Sequence, residues 1–499
     1  MYSPDLISTD LKDAREQAEA LMESLRASEE KLYQFSSSIL VLADSKEELD
    51  SNIKSVKQLG SKYMLTFSNL TYQQETGFKC ALPLCRTDSK VKRILQSNSA
   101  ALFLPFATKE LMQHQGFYYG LNAVSNNMIV INRLNSKNYN GLILGQSGSG
   151  KSFAAKREML SAFLSTTDHI YVIDPDSEYT DIAIALGGSV VKLAPGIKNH
   201  INPFDMDIHY SDSEGQDNSN PIPLKSDYIC MLCETAVGRR YELSNVERSI
   251  IDRVVIQLYG PYIEHMKNDV RDRSITCDTT ASPTMDMFYD ALMNQPEPEA
   301  QNLGLNMEIY CVGSSDLFSK RTNVDINNRF TVFDIKDIGN GMKEIGLQVC
   351  LNHIWNKMID NKQHGIRTRL YIDEFHVLTK TRSSIEYLQQ IWKRARKWLG
   401  IPTGITQNVS DLLTSQEAVT IISNTDFILM MSQAPADRLA LQEMYHISDA
   451  QLAYITNSPA GQGLIYDGQT IIPFVDKFPT NTKLYQIMSS NAEEKKNVT

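Results

Sequence analysis

The sequence has no run of about 18 apolar residues, so no transmembrane helix is expected within it. Its first residues, "MYSPDLISTDLKDAREQ", lack a basic start followed by an apolar core and do not read as a secretory leader. Positive charge is not in excess either. Lys and Arg number 49 against 59 Asp and Glu, a net charge of −10. That argues against a protein coated in nucleic acid and leaves room only for a local basic patch. Internal repeats are absent. Cysteine is scarce and odd in number, 7 in 499 residues, which suits a reducing compartment better than a disulfide framework. Cys230 and Cys233 form a C-x-x-C in "YICMLCETAV", but no second Cys/His pair stands at zinc spacing and the flanks read as a buried helix. Both are expected to be core thiols. What is left is an ordinary soluble composition, long enough for about two to four domains.

Apolar spacing divides the chain. Leu11, Ala14, Ala18, Leu21, Leu25 and Leu32 recur at intervals that predict a docked helix over 5–35. "SSILVLA" (37–43) and "YMLTFS" (63–68) predict strands. Between them, Ser45 and Glu48 have the form of a capping box and open a helix to about Leu59. "ALFLPF" (101–106) and "GFYYGLNAVSNNMIVINR" (116–133) read as strands and turns. From 140 the rhythm becomes strand, helix, strand: "GLIL" (141–144), a helix over 151–164, then "HIYVID" (169–174), apolar enough for a sheet interior. "SDSEGQDNSN" (211–220) is a polar loop. The next hundred residues are helical in pattern. Strand rhythm returns with "FTVFDI" (330–335), "RLYID" (369–373), "PTGIT" (402–406) and "DFILMM" (426–431), with helices over 343–360 and 384–398, and "GLIYDGQTIIPF" (463–474) closes as a hairpin. The expected organisation is a partial α+β domain (1–110), an α/β core in two parts (111–224 and 326–485) split by an all-helical insertion (225–325), and a frayed tail (486–499).

Chemistry concentrates around "GLILGQSGSGKSF" (141–153), which fits G-x-x-x-x-G-K-[ST] between an apolar strand and a helix. Gly145, Gln146, Ser147, Gly148, Ser149 and Gly150 can curl so that backbone N–H groups face phosphates. The helix that opens at Lys151 and runs through Ser152 and Phe153 adds its positive end. Lys151 can reach β and γ phosphates, and Ser152 can ligate Mg²⁺. Such a site needs a carboxylate at the end of another strand. "RLYIDEFH" supplies Asp373 for the metal and Glu374 to polarise the attacking water. Asp174 in "YVIDPDSEY" is the rival, with Glu178 as a supporting acid. "GITQN" places Thr406 and Gln407 at a further strand end, where an amide can sense the γ-phosphate. "WKRARKW" (392–398) sets Lys393, Arg394, Arg396 and Lys397 between two tryptophans, as a solvated helix face, an arginine finger or a DNA-contacting patch.

The phosphate loop, "DPDSEY", "INPFD" (201–205), "TNVD" (322–325), "YIDEFH" and "GITQN", in this order, resemble the VirB-four family, the traffic ATPases of type IV secretion and conjugative transfer, in the FtsK/HerA branch of RecA-like motors. "GFKCALPL" (77–84), "LPFAT" (104–108) and "GFYYGLN" (116–122) are similar to the segment joining that family's two domains, and the likeness runs from about residue 5 to 485. The flavour is that of Gram-positive conjugative elements. The resemblance implies a RecA-like P-loop NTPase core and Mg²⁺-dependent hydrolysis of ATP to ADP and phosphate. It also implies a cytoplasmic protein, peripheral at the inner face of the membrane, in a hexamer or smaller ring. Its partners would be membrane channel subunits and, beyond them, the coupling ATPase and transfer DNA. Family members usually carry a longer N-terminal domain, and the resemblance implies that this chain begins inside it. By its spacing to Gln407, Arg396 resembles the finger that reaches a neighbouring subunit's nucleotide, with Arg394 as the alternative. The competing expectation is a DNA-translocating coupling protein or helicase-like pump, which favours a basic channel that the net charge of −10 does not suggest.

Overall fold

The computed structural model describes residues 31–82, 92–101, 103, 109–208, 221–238, 241–268, 277–313, 315–324, 327–339, 341–379, 381–407, 409–413 and 416–490, with scattered positions between 12 and 22. The chain divides into two compact units, Met1–Ala107 and Thr108–Thr499.

In the first unit, helix α1 (Lys46–Lys62) starts where the capping signal stands. Ser45 Oγ accepts from the Glu48 N–H at 3.2 Å, while the Glu48 carboxylate turns to the Asp44 N–H at 3.4 Å. The two expected strands are not formed. Residues 37–43 form neither strand nor helix, and 63–68 close the helix instead. Met64 takes a left-handed φ of 58°, Leu65 N–H donates to Gly60 O at 2.9 Å, and Phe67 packs so tightly on Gly60 that a Cβ there would lie 2.5 Å from its ring. Of the apolar residues of "YMLTFS", Phe67 packs on the helix end, while Tyr63, Met64 and Leu65 stay exposed. The pairing that does occur is antiparallel, between β1 (Leu32–Phe35) and β2 (Arg93–Gln96). The helix expected over 5–35 therefore ends before Leu32. Positions 12, 14–16, 18, 19 and 22 are helical, and the rest of 1–30 lies outside the described residues, as do 102 and 104–106 of "ALFLPF".

The second unit is built on an eleven-stranded sheet. Its strands are β3 (Phe117–Asn122), β4 (Met128–Ile131), β5 (Gly141–Leu144), β6 (His169–Asp174), β7 (Ser189–Lys192), β8 (Phe330–Asp334), β9 (Thr368–Ile372), β10 (Gly400–Thr406), β11 (Phe427–Met430), β12 (Gln462–Tyr466) and β13 (Ile471–Val475). Their spatial order is β4-β3-β13-β12-β11-β5-β10-β9-β6-β8-β7. From β11 to β7 all pairs are parallel, and β12, β13, β3 and β4 extend the sheet antiparallel. Apart from the edge strand β7, the parallel strands are buried on both faces, which is why they read as continuous apolar runs. Leu142 and Leu144 face one core with Tyr171 and Ile372, while Ile143 faces the other with Val172 and Tyr371. Helix α2 (Lys151–Ser165) lies on the second face.

Four long or medium helices lie between β7 and β8: α3 (Ile222–Val237), α4 (Asn245–Asn268), α5 (Met285–Met293) and α6 (Pro298–Cys311). Among the described residues no strand falls between Lys192 and Phe330. Cys230 and Cys233 sit inside this packing, 4% and 0% exposed. "INPFD" ties the helices to the core. Lys225 Nζ, fully buried on α3, donates to Pro203 O (2.6 Å) and Asp205 O (2.7 Å). Asn202 donates to Pro283 O (2.6 Å). Asn356, on helix α7 (Lys343–Gln363) against the sheet, donates to Asp205 O at 2.9 Å. Helix α8 (Arg382–Arg394) connects β9 to β10. The tail does not fray where expected. Residues 486–490 are held by helix α9 (Lys483–Met488), where Met488 is fully buried and its carbonyl accepts from Lys156 Nζ at 3.0 Å; 491–499 lie outside the described residues. No helix among the described residues is long and apolar enough to cross a membrane.

Candidate active site

Because β5, β10, β9 and β6 are adjacent and parallel, their carboxyl ends open on one edge of the sheet. Registers Thr406–Leu144 and Gly404–Ile372 put the residues that follow each strand side by side. The loop after β5 is pinned at its base by Gly145 N–H to Thr406 O (3.3 Å) and Gln146 N–H to Ser432 O (2.8 Å). Gly150, the residue before α2, has φ +97°, a conformation that costs any side chain. A Cβ on Gly145 would lie 2.6 Å from Ser149 Oγ.

Three features of the loop fit a polyphosphate. The exposed N–H groups of Ser147 and Gly148 find no acceptor among the described residues. Ser149 Oγ is buried without a hydrogen-bond partner among them. Lys151 Nζ rests on the loop's own Gln146 carbonyl at 3.1 Å, where a phosphate oxygen could replace it. Burial lowers the Lys151 pKa, and the carboxylates of Asp373, Glu374 and Glu178 oppose that shift.

Asp373 follows β9 and is 6% exposed. One carboxylate oxygen accepts from the Glu374 N–H (2.8 Å) and the other from Tyr179 OH (3.1 Å). Burial, reinforced by the neighbouring carboxylates of Glu178 and Glu374, pushes its pKa up to about 7. A divalent cation shared with Ser152 would stabilise the ionised form, and two hard oxygen donors suit Mg²⁺. Glu374 is held in the left-handed region, φ +50°. Its Oε1 accepts from Gln407 Nε2 (3.3 Å), and its Oε2 stands 3.2 Å from His376 Nδ1. That nitrogen is also 3.3 Å from Thr406 Oγ1. Ser147, Lys151, Ser152, Asp373, Glu374 and Gln407 line one cavity of about 600 Å³, which also reaches Gly148, Gly150 and Phe153.

A sequence family, the TraG P-loop domain, matches residues 124–458, most of the second unit. The chain belongs to that family. The TraG P-loop chain is also similar in structure to VirB4 of Thermoanaerobacter pseudethanolicus, at 22% identity and a TM-score of 0.64, covering 74% of this chain and 99% of that one. This is a shared α/β P-loop NTPase fold. The conjugative coupling protein TrwB, in a crystal form with sulphate, is more distant: 13% identity, 72% and 89% coverage, and a TM-score of 0.45. No curated protein sequence matches.

Other expected residues lie elsewhere in this TraG P-loop unit. The Asp174 carboxylate is fully buried and occupied by the N–H groups of Asp176 (3.3 Å), Glu178 (3.1 Å) and Tyr179 (2.8 Å), so it shapes a turn. Glu178 reaches the cavity and accepts from Ser490 Oγ at 2.9 Å. Arg396 precedes β10, at the amino end of the strand whose carboxyl end carries Gln407. Its guanidinium donates to Lys137 O and lies 5.3 Å from the Tyr139 ring centre. Three side chains around the site were not evident in sequence: Tyr179 on Asp373, His376 on Glu374, and Glu158. The last, on α2 and 1% exposed at its side chain, accepts from Arg133 Nη1 (2.8 Å), Tyr119 OH (2.9 Å) and Tyr371 OH (2.8 Å). That fastens the phosphate-loop helix to the strand carrying Asp373. The only hints were the His of "YIDEFH" and the Tyr of "DPDSEY".

Proposed function

We propose that this chain is an ATP-hydrolysing motor that energises assembly of, or substrate transfer through, a type IV secretion or conjugation apparatus. One observation carries the reading: Lys151 and Ser152 face Asp373, Glu374 and Gln407 across a single cavity. A pure binding site has no need of a second carboxylate held by an amide and an imidazole.

Ser152 and Asp373 would hold a Mg²⁺ ion, which would supply charge withdrawal from the phosphate chain. Lys151 stabilises the charge that develops on the transferring phosphoryl group. Glu374 orients the attacking water and takes its proton. Gln407 and His376 keep Glu374 aimed. The residues between β7 and β8 serve as a helical insertion, residues 1–110 as part of a preceding domain, and the chain works as a ring-like oligomer docked on membrane channel subunits at the inner face of the cytoplasmic membrane.

The test is MgATP turnover by the purified chain. Lys151→Ala should lose binding and hydrolysis. Glu374→Gln should still bind ATP yet hydrolyse it about 10²-fold or more slowly. Turnover unchanged in Lys151→Ala would sink the assignment, and stimulation by DNA that falls steeply with salt would favour a DNA pump instead.

A further inference from the structure

Besides the phosphate-loop residues, the same cavity is lined by rings, among them Phe153, Phe478 and Tyr485. Phe153, next to Ser152 in the first turn of α2, meets Phe478 edge-on with ring centres 5.5 Å apart, and Tyr485 at 5.4 Å. Phe478 and Tyr485 are near-parallel, 27° apart in plane at 6.4 Å. All three are half-buried. One turn further along α2, the Arg157 guanidinium lies over Tyr118 (4.7 Å) and Phe478 (5.2 Å) and pairs with Asp476. Lys156 donates to Met488 O (3.0 Å) and Ser490 Oγ (2.8 Å), which anchors the segment bearing Tyr485 to the same helix.

A triphosphate seated on the loop has one end fixed. Its γ-phosphate must face Glu374 and Gln407, so its ribose and base extend along the cavity in the other direction, past Phe153. We propose that Phe153, Phe478 and Tyr485 form the stacking platform for the nucleobase, with Arg157 fixing the platform from behind. This rests on the nucleotide-site reading above. All three rings line the same cavity as Lys151 and Ser152, so they are placed to meet what a bound phosphate chain carries. Stacking reads ring area more than base edges, so the platform favours purine over pyrimidine triphosphates.

Calorimetric titration of the full chain with Mg²⁺ and ATP, CTP or inorganic tripolyphosphate tests this. The parent protein should bind ATP more tightly than CTP. Tyr485→Leu keeps apolar volume but removes the π face, and Tyr485→Phe keeps the ring. Tyr485→Leu and Phe478→Leu should weaken ATP about 5- to 150-fold, the range for loss of one base–aromatic stack. They should also shrink the ATP/CTP ratio and leave tripolyphosphate unchanged, while Tyr485→Phe behaves like the parent. Equal losses for ATP and tripolyphosphate, or an unaltered ATP/CTP ratio, would overturn the platform and leave the rings as packing for the C-terminal segment. Lys151→Ala separates the two ideas. Loss of both ATP and tripolyphosphate keeps the site reading whatever Tyr485 does, and loss of neither removes it.

Discussion

Gln407 donates from its side-chain amide to Glu374 Oε1 at 3.3 Å, reaching from the end of β10 to the end of β9. Glu374 sits at φ +50°, a backbone state that a residue with a side chain holds only when its surroundings impose it. The amide therefore positions the Glu374 carboxylate. Gln407→Ala should lower kcat about 10- to 100-fold, the scale of a misplaced reacting group, with little change in KM. Steady-state kinetics decide: a raised KM at constant kcat would place Gln407 on the substrate instead.

Asp373 should make the metal-free protein pH-sensitive. Its folded pKa, up to about 7, lies above the ordinary carboxylate value of 3.8, so between those limits the folded state binds more protons than the unfolded one. Stability should then fall as pH rises from about 4 to about 7. Asp373→Asn removes that penalty and should be the more stable protein at pH 8 in EDTA, by up to about 4 kcal/mol. Urea titrations at pH 5 and pH 8 check it. Mg²⁺ should restore the parent at pH 8 and leave the variant unmoved.

Glu158 joins the phosphate-loop helix to Arg133, Tyr119 and Tyr371 out of water. Removing one partner of a buried ion pair strands the other charge. Glu158→Gln should cost about 3–5 kcal/mol in urea unfolding. Tyr371→Phe removes one bond to a charged acceptor and should cost about 1.5–3 kcal/mol. A loss below about 1 kcal/mol in Glu158→Gln would mean that Arg133 finds other acceptors, as Thr403 Oγ1 (2.8 Å) and Pro402 O (3.0 Å) already offer.

The strands that position the site were legible because burial on both faces makes them continuous apolar runs, and the loop because its chemistry demands glycine at fixed places. "SSILVLA" has the same apolar look, yet a strand exists only if a partner pairs with it, and pairing is not a local property. β7 fails in the other direction, with one of its four residues buried and too little pattern to read. The relations that tune the site were hidden for a related reason. Glu158 on a helix looks like a solvated acid until residues 25, 39 and 213 positions away converge on it. The "MSS" of residues 488–490 is polar enough to fray, but Lys156 captures the Met488 carbonyl and Ser490 Oγ.

Arg396 offers the sharpest test of assembly. It lies eleven positions before Gln407 and just ahead of β10, whose seven residues span roughly 20 Å. Its guanidinium is thus at the opposite end of the strand from its own chain's phosphate loop. A direct contact between this guanidinium and a transferring phosphoryl group would have to be made in another subunit. A planar, always-charged fork suits the charge that develops on a transferring phosphoryl group, and such fingers are worth about 10³–10⁵ in rate. Arg396→Ala should fold, bind ATP and hydrolyse it poorly. Mixing it with Lys151→Ala should recover part of the activity, because an intact loop from one chain then meets an intact arginine from the other. If the two variants co-assemble and the mixture stays as inactive as either alone, Arg396 does not act in trans. Its bond to Lys137 O and its place over Tyr139 would then define a purely local role at the amino end of the sheet.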